Sequence, residues 1–165
     1  MCYIFGGQGG DDHLFNDLYS LSFDIDEGEK KFIASWEKED VRGKRPSPRT
    51  SHSCTAYRGE FLILIGGEGL NEGMYKKLNL VFEKVPLNDV WIYTLIMKSW
   101  SELKLNNPNI FEGRFCHSAS LSGDKIFIYG GMKNAEETLD NLSVLCLNGK
   151  IEELEECNKY NNLIF

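Results

Sequence analysis

The sequence has no long hydrophobic run and no secretory pattern of charged, apolar and small residues at its start. No stretch approaches the ~20 apolar residues that a membrane-spanning helix needs. Histidine is scarce, with three in 165 residues. His13, His52 and His117 stand at no metal-ligand spacing with one another or with the cysteines. The five cysteines (Cys2, Cys54, Cys116, Cys146, Cys157) are odd in number and contain no CxxC pair. Without a secretory signal they are expected as free thiols in a reducing compartment. The cytoplasm is the expected location, with the nucleus as the alternative. Basic charge is also in deficit: 18 Lys and Arg against 25 Asp and Glu give a net charge of −7. That balance excludes a general nucleic-acid binder.

What the chain does have is glycine in pairs. Gly6-Gly7 follows Tyr-Ile-Phe, Gly66-Gly67 follows Leu-Ile-Leu-Ile, and Gly130-Gly131 follows Ile-Phe-Ile-Tyr. The period is near 60 residues, too long for a coiled coil and suited to a unit of several strands. Two copies open with Arg-x-x-His-Ser: Arg49, His52 and Ser53, then Arg114, His117 and Ser118. A polar loop follows each glycine pair. Then an acidic-amide pair leads an apolar strand: Asn16-Asp17, Asn88-Asp89 and Asp140-Asn141. Trp36 and Trp100 close two copies, and Ile151 stands near that position in the third. Arg49 to Gly66 is 17 residues and Arg114 to Gly130 is 16. The middle copy carries an insertion within Leu70–Val85, and the first copy is longer around Asp24–Lys31.

The apolar runs are short and bounded by glycine and polar residues, so they read as strands and the chain as all-β. This pattern resembles the kelch repeat, the blade of a kelch-type β-propeller, over nearly the whole chain. The resemblance implies an incomplete propeller of about three four-stranded antiparallel blades, near residues 1–45, 46–106 and 107–156, with a tail at 157–165. Strands are expected at 2–5, 17–23 and 33–38, then 51–57, 60–65, 89–95 and 99–104. In the third copy they are expected at 115–121, 125–129, 141–147 and 150–155. Glycine suits the end of each second strand because it allows positive φ and leaves room where backbones crowd. Trp36 and Trp100 are expected to fill space between neighbouring blades. Family propellers close with more blades than three. The chain is therefore expected either as a piece of a longer propeller or as a homo-oligomer completing a ring. The tail either begins a next blade or supplies the first copy with an inner strand.

Two enzymatic patterns and one targeting pattern are weak. Adjacent His and Ser on a strand point to opposite faces, so His52-Ser53 and His117-Ser118 do not form dyads within themselves. Gly6-Gly7-Gln8-Gly9-Gly10 lacks the Lys-Ser/Thr and the helix start of a phosphate loop. The basic cluster Arg42–Arg49 reads as a proline-rich connection rather than a nuclear-import element. No catalytic residue, cofactor or metal is expected.

Binding of a protein or peptide remains, with no nucleic-acid or membrane partner. In kelch propellers the loops between second and third strands gather on one face, where partners bind. By resemblance, Arg49 and Arg114 are placed where some family members grip acidic peptide groups, a task that suits the guanidinium fork. The alternative is that they only tie neighbouring loops together. Loop residues added to the candidate face are Gln8, Asp12 and His13, then Glu68, Asn71, Tyr75 and Lys76, then Lys133 and Asn134. Two functions stand open: a non-catalytic interaction scaffold, or the regulatory propeller of a larger enzyme, a Ser/Thr phosphatase or a ubiquitin-ligase substrate receptor, whose catalysis lies outside this chain.

Overall fold

Alternating short strands with glycine at their ends give radial sheets stacked face to face. A computed structural model describes residues 1–70, 84–104 and 111–147, and the backbone of Glu155–Glu156. All fourteen elements among these residues are strands.

The first sheet holds β1 (Cys2–Gln8), β2 (Leu14–Asp26) and β3 (Lys31–Lys38), in the order β1-β2-β3. The second repeat begins with a two-residue strand, β4 (Arg49–Thr50), followed by β5 (Ser53–Tyr57) and β6 (Phe61–Ile65). The insertion leaves and returns as β7 (Glu68–Leu70) and β8 (Lys84–Pro86), and β9 (Val90–Thr94) and β10 (Ser99–Leu103) complete the unit. The second sheet runs β10-β9-β6-β5, while β4, β7 and β8 form a small separate sheet. The third repeat gives β11 (Ser118–Ser122), β12 (Lys125–Tyr129), β13 (Leu142–Cys146) and β14 (Glu155–Glu156), in that order. All pairings within these sheets are antiparallel. The architecture is that of a partial kelch-type propeller.

The three sheets pack through two cores. Phe5 and Leu18 of the first sheet meet Leu62, Leu64, Trp91, Tyr93 and Trp100 of the second. On the opposite face of the second sheet, Tyr57, Ile63, Ile65, Val90 and Ile92 meet Ile126, Ile128 and Leu145 of the third. A sheet covered on both faces needs apolar residues at every position rather than at alternate ones. This explains the unbroken Leu-Ile-Leu-Ile of β6, whose members are all at most 3% exposed.

Among the described residues, the first sheet is covered on one face only. Its pairing places Ile4 opposite Tyr19, Leu21 opposite Trp36, Phe23 opposite Ala34 and Ile25 opposite Phe32. These residues share the face turned away from the second sheet. Trp36 is consequently 57% exposed, whereas Trp100, on the equivalent outermost strand of the second sheet, is 5% exposed against Phe5. Trp100 thus sits between the first and second sheets, whereas Trp36 lies on the outward face of the first. No sheet among the described residues lies against that side. The extra length around Asp24–Lys31 is also not a loop: β2 and β3 run on to Asp26 and from Lys31, joined by a four-residue turn.

The inner strands begin later than the motif suggests. Ser51 and Cys116, each two residues after its arginine, take φ of 55°. Both are non-glycine residues in the left-handed region, and the kink delays β5 and β11 to Ser53 and Ser118. The Cys116 N–H donates to the Ser51 carbonyl at 2.9 Å, tying one kink to the next. Ile151 and the tail lie outside the described residues.

Candidate protein-interaction face

The glycine pairs set the geometry of the loop face. In each pair the first glycine has φ near +60° (60°, 56° and 64°) and the second near +100° (104°, 99° and 96°). The backbone thus leaves all three second strands in the same direction. Side chains would not fit at several of these positions. A Cβ on Gly66 would lie 2.8 Å from the Arg114 carbonyl, and one on Gly67 would lie 2.7 Å from both His52 Cβ and the Thr50 carbonyl. Gly6 and Gly131 are equally crowded, by the Arg49 and Phe115 carbonyls at 2.8 Å.

Beneath the loops sits Arg49, 0% exposed. Its Nε donates to the Ser47 carbonyl at 3.1 Å. Nη1 donates to the Gly66 carbonyl at 3.0 Å and Asp89 Oδ1 at 2.6 Å. Nη2 donates to Ser47 Oγ at 3.0 Å and Asp89 Oδ2 at 2.7 Å. These acceptors match the five N–H donors of a guanidinium. Trp91 Nε1 adds a bond to Asp89 Oδ2 at 2.6 Å. Arg49 therefore joins the end of β6, the start of β9 and the incoming connection. Arg114, also 0% exposed, repeats the arrangement. It donates to Glu112 O at 3.3 Å, Gly130 O at 3.1 Å and Asn141 Oδ1 at 3.0 Å, and its guanidinium stacks 4.9 Å from the Phe111 ring. In the second and third copies the acidic-amide pairs thus find a role: their second members, Asp89 and Asn141, accept from the arginines.

The rim above these posts is polar. Gln8 Nε2 donates to Asp12 Oδ1 at 2.6 Å, and Lys84 Nζ donates to Gln8 Oε1 at 2.9 Å. Lys84 also stands 3.6 Å from Asp12 Oδ1. The first-copy loop is therefore stitched to the inserted arm of the second. His13 is exposed, with its ring edge-on to Phe15 at 4.7 Å. Glu68 is half-buried on β7. Lys133 and Asn134 are exposed and form a cluster of their own. Asn134 Oδ1 accepts from the N–H groups of Glu136 and Glu137 at 2.9 and 2.8 Å, and Lys133 pairs with Glu137 at 3.5 Å. Asn71, Tyr75 and Lys76 lie outside the described residues. Lys84 was missed from sequence. In the sequence it is one of three lysines within the insertion (Lys76, Lys77 and Lys84), and its role depends on the pairing of β7 with β8.

One histidine–serine contact crosses between blades: Ser53 Oγ and His117 Nε2 are hydrogen-bonded at 2.9 Å. Burial and the neighbouring Arg114 lower the His117 pKa to about 4. Burial and Arg49 do the same for His52. An imidazole with so low a pKa is a weak base, and no described carboxylate bonds its other nitrogen as a catalytic triad requires. The contact ties the second sheet to the third. Among the described residues no three His, Cys, Asp or Glu side chains gather to hold a metal ion. No described helix is long and apolar enough to cross a membrane. Cys2, Cys54 and Cys116 are exposed free thiols.

Comparison with known proteins agrees with this geometry. The family model described as the KLHDC2/KLHL20/DRC7 Kelch-repeats domain matches residues 1–157. Host cell factor homolog hcf-1 of Caenorhabditis elegans is 29% identical over 143 residues, covering 78% of this chain and 16% of that protein. Acyl-CoA-binding domain-containing protein 4 of Arabidopsis thaliana is 27% identical over 146 residues, covering 86% of this chain and 19% of its own length. Human host cell factor 1 is 25% identical, with 79% and 6% covered. The chain thus spans less than a fifth of these relatives. A chain in the cryo-EM structure of RAG with one melted and one unmelted RSS superposes at a TM-score of 0.76 and 22% identity, covering 98% of this chain and 47% of that one. The structure of YjhT superposes at 0.63 and 17% identity, with 94% and 47% covered.

Proposed function

The chain belongs to the kelch-repeat family, and from that premise we propose that it is a non-catalytic protein-interaction module that binds a peptide segment of a partner on its loop rim. The observation that carries this is the stitch from Lys84 to Gln8 and Asp12, which joins loops of two repeats into one polar surface. Gln8, His13, Glu68, Lys133 and Asn134 form the contact surface in this proposal. Arg49 and Arg114 act from beneath as the posts that hold the loops.

The charge of the rim gives the partner its chemistry. Asp11, Asp12, Glu136, Glu137 and Asp140 are exposed there beside Lys84 and Lys133. Exposed charges of one sign steer and select a partner of the other more than they add affinity. A basic, extended segment fits this rim. A cytoplasmic or nuclear location accords with the free thiols. Attachment to a larger enzyme, a phosphatase or a ubiquitin-ligase receptor, is compatible with the same rim, with catalysis elsewhere.

The test is selection of a random peptide display library on the purified chain, with counter-selection on an Asp11→Lys/Asp12→Lys/Glu137→Lys variant. Lys- and Arg-rich peptides that depend on the rim and weaken with added salt are expected. Peptides that bind both proteins equally would overturn the proposal.

A further inference from the structure

The outer edge of β3 is bare, whereas the equivalent edge in the second sheet is covered. β3 and β10 are the outermost strands of their sheets. Along β10 runs the connection from the first repeat. The Arg42 N–H donates to the Lys98 carbonyl at 2.7 Å, Arg42 pairs with Ser99, and Lys44 reaches Glu102 at 2.9 Å. No described segment runs along β3 in this way, and all eight of its residues are exposed. Its pairing with β2 is continuous, and its middle, Phe32–Trp36, holds no proline, glycine or charge. Proteins ordinarily blunt an edge with a bulge, a proline, a charge or a short strand. The edge lies in the plane of its sheet, so it stays open whatever stacks on either face.

The ladder fixes which backbone groups point outward. The Glu39 N–H donates to the Leu18 carbonyl at 2.9 Å, one step beyond the Tyr19–Lys38 pair. Bonded and non-bonded pairs alternate in an antiparallel ladder. Lys31, Ile33, Ser35 and Glu37 therefore bond β2, while Phe32, Ala34 and Trp36 turn their N–H and C=O groups to the bare side.

This edge is complementary to itself. Lay a second β3 antiparallel to the first, with Ala34 on the two-fold axis. Phe32 then stands opposite Trp36 of the second copy, and Trp36 opposite its Phe32. All of these pairs join outward-pointing backbone groups. On the other face the same register sets Lys31 opposite Glu37 of the second copy, twice by symmetry. Aromatic pairs and opposite charges are the cross-strand pairs that stabilise a sheet. Phe32 and Trp36 are 80% and 57% exposed, on the face they share with Phe23 and Ile25 at 61% and 65%. The pairing joins two such patches into one. Lys31 meets Glu29 at 2.6 Å in the turn, with side chains 72% and 63% exposed, and so exposed a pair exchanges partners at little cost. Centring the pairing on Ile33 or Ser35 keeps the ladder but loses the aromatic pairs.

We propose that the chain forms a two-fold dimer in which β3 pairs antiparallel with β3 of a second copy, centred on Ala34. The contact is isologous and closed. Lys31 to Glu37 on each chain is fewer than the ~20–30 residues a side of a standard interface, so the dimer is weak, with a Kd on the order of 10–100 µM. The loop rim takes no part in it, so either surface can fail alone.

The test is sedimentation velocity on the full chain from about 5 to about 500 µM, a range that brackets this Kd. A concentration-dependent dimer is expected, with the amides of Phe32, Ala34 and Trp36 exchanging more slowly as it forms. Ala34→Pro removes the central outward N–H and leaves the β2 ladder intact, at a place where edge strands accept proline. It should weaken the dimer at least ~10-fold, and its thermal melt reports whether it is folded. Lys31→Glu and Glu37→Lys each set like charges opposite one another twice, and each should weaken the dimer ~10-fold. Mixed in equal amounts, these two variants should recover wild-type affinity, because every facing pair is then of opposite sign. A chain that stays monomeric at the highest concentration overturns the proposal. So does a dimer indifferent to Ala34→Pro, or a charge pair that does not recover on mixing. Slow exchange of the three amides in the dilute monomer also overturns it, because the chain itself would then cover the edge.

Discussion

Replacing Arg49 with alanine is expected to destabilise the chain by about 3–5 kcal/mol, the cost of removing one partner from a buried ion pair. Two features of the structure act in opposite directions within that range. The guanidinium is 0% exposed, whereas Asp89 retains 23% side-chain exposure and so regains some solvation when abandoned. The Gly66 carbonyl, by contrast, is buried with its residue and loses the Nη1 donor. Lysine does not rescue, because one ammonium cannot reproduce the bidentate fork to Asp89 together with the bonds to Gly66 and Ser47. The assay is urea unfolding followed by tryptophan fluorescence, since Trp91 and Trp100 are buried at 4% and 5% exposure. With a slope of about 2 kcal/mol/M, the midpoint should fall by about 2 M. Arg114→Ala, which removes the bonds to Glu112, Gly130 and Asn141, should cost at least about 2–3 kcal/mol. A midpoint for Arg49→Ala within about 0.3 M of wild type, combined with lost partner binding, would refute the assignment of this arginine as a structural post and make it a ligand contact.

Gly67→Ala is expected to lower stability by about 3 kcal/mol and Gly7→Ala by about 1 kcal/mol, because both carry positive φ but only Gly67 meets neighbouring atoms; thermal melts of the two variants compare them directly. Trp100→Ala should cost about 3–5 kcal/mol and Trp36→Ala below about 1 kcal/mol in the same urea assay, since one is buried between sheets and the other exposed. His52 and His117 have folded-state pKa values of about 4. The unfolded chain therefore takes up protons near pH 6.5 before the folded one does. Stability is full above pH 6.5 and falls as pH drops toward 4, by about 2 kcal/mol per histidine after allowance for partial exposure. A His52→Gln/His117→Gln variant should flatten that part of the pH–stability curve.

The central strands of each repeat and the glycine conformations were legible in the sequence, because each depends on local patterns of apolar residues and backbone freedom, whereas the short β7 and β8 of the insertion were not. Burial between sheets was less so. Trp36 and Trp100 hold the same place in their repeats, yet one is exposed because nothing among the described residues stacks against its sheet. The arginines posed a similar ambiguity: Arg-x-x-His-Ser marks the position, but only the approach of Asp89 and the Gly66 carbonyl decides that Arg49 points inward. The alternation of Phe23 and Ile25 with Ser22, Asp24 and Asp26 did carry a signal for the long β2–β3 hairpin. The expected strands stopped at 23 and resumed at 33, leaving its tip outside them. Lys84 was beyond reach, since its partners come from a loop 76 residues away.

Hydrogen–deuterium exchange on the chain bound to a peptide from the display selection tests the central claim most directly. Protection at Gln8–His13 and Lys133–Asn134, with Lys31–Lys38 unchanged, is the predicted result. Protection confined to the sheets or the β3 edge, with the rim exchanging freely, would contradict a loop-face interaction module.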